Sequence, residues 1–129
     1  MLTFPKALAP ALFAALVAVP LHAETRAEAE ARVAKLTDTH IAATVEAWLK
    51  ERGGGCSHRF DSMESSQAFE REVEEALFDF AEVSAEHRHA LREAFNDRID
   101  DLLDDAIARG AYLVSEDGDA VTVTIRDCP

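Results

Sequence analysis

Apolar residues recur along most of this chain at the spacing of one helix face. From Thr25 to Arg52 there is no proline or glycine, and alanine, glutamate and arginine dominate, all good helix formers apart from any tertiary context. Ala29, Val33 and Leu36 share one side of that run, whereas Ile41, Val45, Trp48 and Leu49 share a face rotated by roughly a third of a turn. Thr37, Asp38 and Thr39 stand at the change of phase and are residues that start helices. The pattern therefore predicts two amphipathic segments, kinked or separate, the second ending at Gly53 in the left-handed conformation glycine takes without strain.

A further helix is predicted from Asp61-Ser62-Met63-Glu64, which has the form of a capping box, or from Ser65. Its core stripe reads Phe69, Val73, Ala76, Leu77 and Phe80. Val83 to Glu86 marks a break, and Ser84 caps a last helix that runs to Arg109 and stops at Gly110, with Leu91, Phe95, Ile99, Leu102 and Ala106 on its buried side. The tail then alternates with a period of two around Asp117-Gly118, a hairpin signal. Pairing about that turn sets Ser115 opposite Ala120, Val114 opposite Val121 and Tyr112 opposite Val123. It gathers Tyr112, Val114, Val121, Val123 and Ile125 on one face. An isolated hairpin is marginally stable in water, so this one must lie on the helices. The expected fold is mainly α: three to four amphipathic helices with a C-terminal β-hairpin packed on them and one disulfide.

The first residues change the compartment. MLTFPKALAPALFAALVAVPLHAETR carries Lys6, an apolar run from Ala7 to Val19 and a Leu21-His22-Ala23 triplet before a polar stretch. This is the layout of a secretory signal, with Ala23 as the last residue removed. The run is shorter than the roughly 20 apolar residues of a spanning helix and holds Pro10 and Pro20. Residues 1–23 are thus read as a signal peptide and residues 24–129 as a single small domain, periplasmic or secreted. Cleavage takes Lys6 alone among charged side chains, leaving 12 basic against 25 acidic residues and a net charge of −13. A chain so acidic repels nucleic acid and anionic membrane and fits a basic protein partner.

Cys56 and Cys128 are the only cysteines. In an oxidising compartment an even pair in a small domain is most simply a disulfide. The Gly53-Gly54-Gly55 run before Cys56 is then a joint. It lacks the Gly-Lys-Ser/Thr ending of a phosphate cradle, and Cys56 beside His58 lacks the third group a thiol nucleophile needs.

The chemistry-bearing residues elsewhere do not converge on a catalytic set, and no cofactor is implied. Histidines 40, 58, 87 and 89 and the single Glu86-x-x-His89 offer too few ligands for a metal centre of the di-iron type. Asp97, Asp100, Asp101, Asp104 and Asp105 line one side of the last helix, either as a solvated face or as a docking surface for a basic partner. Their Asp-Asp-x-x-Asp-Asp pattern is similar to the diphosphate motif of isoprenoid synthases, whose large helical cavity this chain is too short to enclose. Phe78 lies off the core stripe, among Arg71, Glu74, Glu75 and Glu82. Either another segment, the N-terminal one or the hairpin, covers it, or it is an aromatic anchor in an acidic rim. The candidate partner-binding residues are accordingly Phe78, Glu74, Glu75, Glu82, Asp97, Asp101 and Asp104, with no catalytic residue and no metal ligand assigned. Val83-Ser84-Ala85-Glu86-His87-Arg88 is similar to the Leu-Thr-x-x-Gln motif of periplasmic Spy/CpxP-like helical stress proteins. It covers one helix start, occurs once and departs at the leucine, threonine and glutamine positions, so it does not carry membership. The reading is a non-catalytic exported binding protein, with a divalent-metal-binding or stress-sensing helical protein as the alternative.

Overall fold

The computed structural model describes residues 23–128, so the expected signal peptide lies outside the described residues except for Ala23. Helix α1 spans Arg26–Ala34 and α2 spans Asp38–Gly53; strand β1 spans Ser57–Phe60. Helices α3 (Met63–Phe80) and α4 (Ala85–Ala108) follow, then strands β2 (Tyr112–Asp117) and β3 (Ala120–Ile125). The first helical run is two helices because Thr37 caps the second: its Oγ1 accepts the His40 N–H at 3.1 Å. Ser62 caps α3 in a reciprocal box, its Oγ accepting from Ser65 N–H and Ser65 Oγ accepting from Ser62 N–H, each at 3.2 Å. Gly53 stays helical and Gly54 takes the left-handed turn, φ 70°. A side chain at Gly53 would put its Cβ 3.3 Å from the His58 backbone, which explains a glycine there.

The sheet is larger than the expected hairpin. Its order is β1-β3-β2, with both pairings antiparallel; the four residues after Cys56 form an additional strand, while residues 54–56 make the connection between α2 and β1. The register of the hairpin also differs: Tyr112 faces Ile125, Val114 faces Val123 and Ser115 faces Thr122. The turn is Gly118-Asp119, with Gly118 at φ 64° in its first central position, a place that favours glycine. Because side chains alternate with a period of two, this two-residue slip leaves the expected face intact. Tyr112 and Ile125 on that face are buried.

Cys56 and Cys128 are joined, with their Cα atoms 5.7 Å apart across 72 positions of sequence. The bond ties the start of β1 to the residues after β3, beside the Ile125 N–H that donates to the Cys56 carbonyl at 2.8 Å. A disulfide of this kind belongs to a non-reducing, extracellular-type environment. No helix among the described residues is long and apolar enough to cross a membrane.

The stripe on α3 needs correction. Phe69, Val73 and Leu77 are buried as expected, but Ala76 and Phe80 are exposed while Glu74 and Phe78 are buried. The buried sector is turned toward α4, which packs Phe95 on Phe78 with ring centroids 5.1 Å apart and lays the Arg88 guanidinium over the other ring, 5.7 Å from its centroid. Phe78 is thus covered, and α4 supplies part of the cover, within a core cluster that also holds Ala29 and Leu36 of the N-terminal part. Phe80, 64% exposed, stacks instead on His40 at 3.9 Å. On its other side α3 meets an aromatic group in which Trp48 of α2 lies 4.9 Å from Phe69 and 6.0 Å from Phe60 of β1.

Candidate functional site: a carboxylate-lined groove between two helices

Helices α3 and α4 form an antiparallel pair joined by residues 81–84, and charge is distributed unevenly along it. Spacings of three and four residues put Glu70, Glu74, Glu75 and Asp79 on the side of α3 that meets α4, whose matching side carries Arg88, Arg92, Asn96 and Asp100. Near the connecting turn opposite charges meet. Arg88 contacts Glu75 at 2.6 Å and Asp79 at 2.8 Å, and Arg92 contacts Glu75 at 2.8 Å. Arg88 also donates to the Val83 carbonyl from Nε at 3.0 Å and Nη2 at 2.8 Å, which fastens the turn. Glu82 in that turn has φ 59°, and its carbonyl accepts from Arg32 of α1.

Farther from the turn carboxylates also face carboxylates. Glu74 is only 2% exposed, and its carboxyl is pushed up to about 7. Burial is the main cause; Glu70, Glu75 and Asp100 add to it and Arg92 opposes it. Arg92 Nε lies 3.1 Å from the Glu74 carboxylate, but this buried N–H is not aligned for a hydrogen bond, so the contact is ionic only. One turn along, the buried Asn96 Oδ1 has no hydrogen-bond partner. Glu70 is raised by burial and then by Asp100; Asp100 is raised by burial and then by Asp104, Asp97 and Asp101. Gln67, Glu70, Glu74, His89, Arg92 and Asn96 are among the residues around the resulting groove of about 450 Å³.

The residues singled out from sequence divide accordingly. Cys56 and Cys128 meet as a disulfide. Phe78 is a core residue with no exposed surface, and Glu74 lies beneath the surface, so the aromatic anchor with an acidic rim does not exist at this place. Glu75 is engaged by two arginines, and Glu82 is exposed in the turn. Asp97, Asp101 and Asp104 are exposed on α4, and no described lysine, arginine or histidine nitrogen lies within ion-pair distance of them. Sequence reasoning missed Glu70, Arg92, Asn96 and Asp100 as a set. The signal was the four-residue spacing of Arg88, Arg92, Asn96 and Asp100, which aligns them on one side of α4.

The histidines are dispersed. His40 stacks on Phe80, His58 sits edge-on to Trp48 at 5.0 Å, and the His87 ring nitrogen is 2.8 Å from the Glu24 carbonyl. Among the described residues no three His, Cys, Asp or Glu side chains come together in a way that could hold a metal ion. The groove offers the carboxyls of Glu70, Glu74 and Glu93 and an amide oxygen as acceptors, with Arg71, Arg92 and His89 also on its lining. Compared with protein families, curated proteins and solved structures, the chain finds no match.

Proposed function

We propose that this is an exported, non-catalytic binding protein, periplasmic or secreted, that holds a basic protein partner on the acidic side of its α3–α4 pair. The observation that supports it is the open half of that pair, where Glu70 faces Asp100 and where Asp97, Asp101 and Asp104 have no ion-pair partner among the described residues. Like charges that crowd each other cost folding energy, and a lysine or arginine of a partner entering the groove removes that cost while gaining several acceptors. Export is supported by the leader-like first residues and by the disulfide.

The test is affinity capture from the extracytoplasmic fraction of the producing cells, using the wild-type protein and an Asp97→Asn/Asp101→Asn/Asp104→Asn variant. The expected result is one or more basic proteins retained by the first and lost by the second, with an affinity that falls steeply as salt rises. Identical capture by both overturns the reading. So does calorimetric binding of calcium or zinc tighter than about 10 μM that requires these aspartates, which favours the metal-binding alternative.

A further inference from the structure

Strand β2 is an outer strand of the sheet: β3 pairs with one side of it, and no described strand pairs with the other. The opposite edge, β1, has four residues and lies against α2 and α3, whereas β2 has six in unbroken register and meets α4. An open edge is a template for another strand unless proline, charged side chains, a bulge or a covering element blunts it; Tyr112–Asp117 has no proline or bulge, and its charges, Glu116 and Asp117, stand at one end. Apolar surface accompanies the edge. Leu113 and Val114, on opposite faces of the sheet, are 51% and 42% exposed. Ile107 of α4, 42% exposed, borders the same apolar hollow as Tyr112 and Val123, and Val123 is the cross-strand partner of Val114.

The two ends of this edge carry opposite charge. At its start stand Arg109, already paired with Asp105 at 2.8 Å, and Arg126, which has no ion-pair partner among the described residues and whose Nη1 lies 3.4 Å from where a Cβ on Gly110 would be. At its end stand Glu116, Asp117 and Asp119, of which, among the described residues, only Asp117 has an ion-pair partner, Arg59 at 3.7 Å. Antiparallel pairing of β2 with itself about Val114 sets Tyr112 opposite Glu116 and Gly110 opposite Gly118. Each Arg126 guanidinium, lying over Gly110, then meets Asp117 and Asp119 of the second copy. Parallel pairing would set like charges side by side.

We infer that the free edge of β2 is a homodimerisation surface, on which two copies pair antiparallel through Tyr112–Asp117 into one continuous sheet. The interface is isologous, as closed dimers usually are. Val114 lies on the two-fold axis, Ile107 of each copy lies beside it, and the charged ends set the direction. This surface is separate from the α3–α4 groove and does not depend on its reading.

The experiment is sedimentation of the oxidised protein without its leader, in about 0.15 M salt, where repulsion between two acidic chains is screened beyond roughly 8 Å. The expected result is a reversible rise from monomer to dimer mass with concentration. Arg109→Glu/Arg126→Glu and Glu116→Arg/Asp119→Arg each remain monomeric alone and form a dimer when mixed, because each variant has edge ends of a single sign. Val114→Lys, a change at an exposed position, is monomeric and serves if a charge-reversed variant does not fold. Circular dichroism and the intact Cys56–Cys128 bond establish folding in each case. A wild-type protein that stays monomeric throughout overturns the inference, as do variants that dimerise like wild type or a mixture that does not associate.

Discussion

Replacing Glu74 by glutamine removes one titrating group from the interior while keeping its size. In the folded chain that carboxyl titrates near 7 in place of its ordinary 4.5, because burial and three neighbouring carboxylates outweigh Arg92. The folded state therefore holds the proton more tightly than the unfolded state. The stability this contributes is fully present below pH 4.5 and is lost as pH rises through about 7. Between pH 5 and pH 8 the loss comes to roughly 2.5 kcal/mol by linkage. Glu74→Gln has no such loss, and its Arg92 keeps the Glu75 contact at 2.8 Å. The expected outcome is a variant close to wild type at pH 8 or more stable, and a difference between the two proteins that moves in favour of wild type by about 2 kcal/mol as pH falls to 5. Urea denaturation followed by the fluorescence of Trp48, the single tryptophan, measures it. Taking the difference cancels the titration of groups common to both proteins. A difference that stays flat from pH 5 to pH 8, or grows the other way, refutes the environment assigned to Glu74.

Other expectations follow from the same packing. Phe78→Ala leaves a cavity beside Phe95 and costs about 3–5 kcal/mol in urea denaturation, whereas Phe80→Ala, which removes an exposed ring, costs under about 1 kcal/mol; the reverse order contradicts the orientation of α3. Reducing the Cys56–Cys128 bond lowers stability by about 4 kcal/mol in the chain-entropy model, and the oxidised protein shows no thiol labelling even in denaturant. Tyr112 is the single tyrosine, and its phenol is pushed up to about 12 by burial and then by Glu46. Tyrosinate absorbance therefore stays low at pH 10 to 11 in the folded protein and appears near pH 10 in denaturant.

Local chemistry made much of this protein legible. Thr37 and Ser62 start helices by hydrogen bonds that span three residues, and Gly54, Gly110 and Gly118 supply the positive φ at which helices and the hairpin turn. Such signals act within one turn of chain, so residue type alone reveals them to within a position or two. The face of the hairpin was equally legible, because a period of two survives a slip of two. The cysteine pairing needed only a count and a compartment.

Tertiary structure decided what depends on partners far along the chain. Phe78 and Phe80 stand two residues apart, about 200° around the helix, and by pattern Phe80 was on the core stripe and Phe78 off it. The position of α4, with Phe95 and Arg88, buried one, while the other was left to stack on His40. The four residues Ser57–Phe60 form a strand because β3 offers them an edge and the disulfide holds them there, and nothing in so short and polar a run announces it. The groove is of the same kind. Glu70, Glu74 and Asn96 are unremarkable surface types on separate helices, and they come together beside Arg71 and Arg92 only when the helices pack, with Glu74 buried among them. Burial of a charge is a property of what surrounds it, and that is set by contacts no local pattern contains.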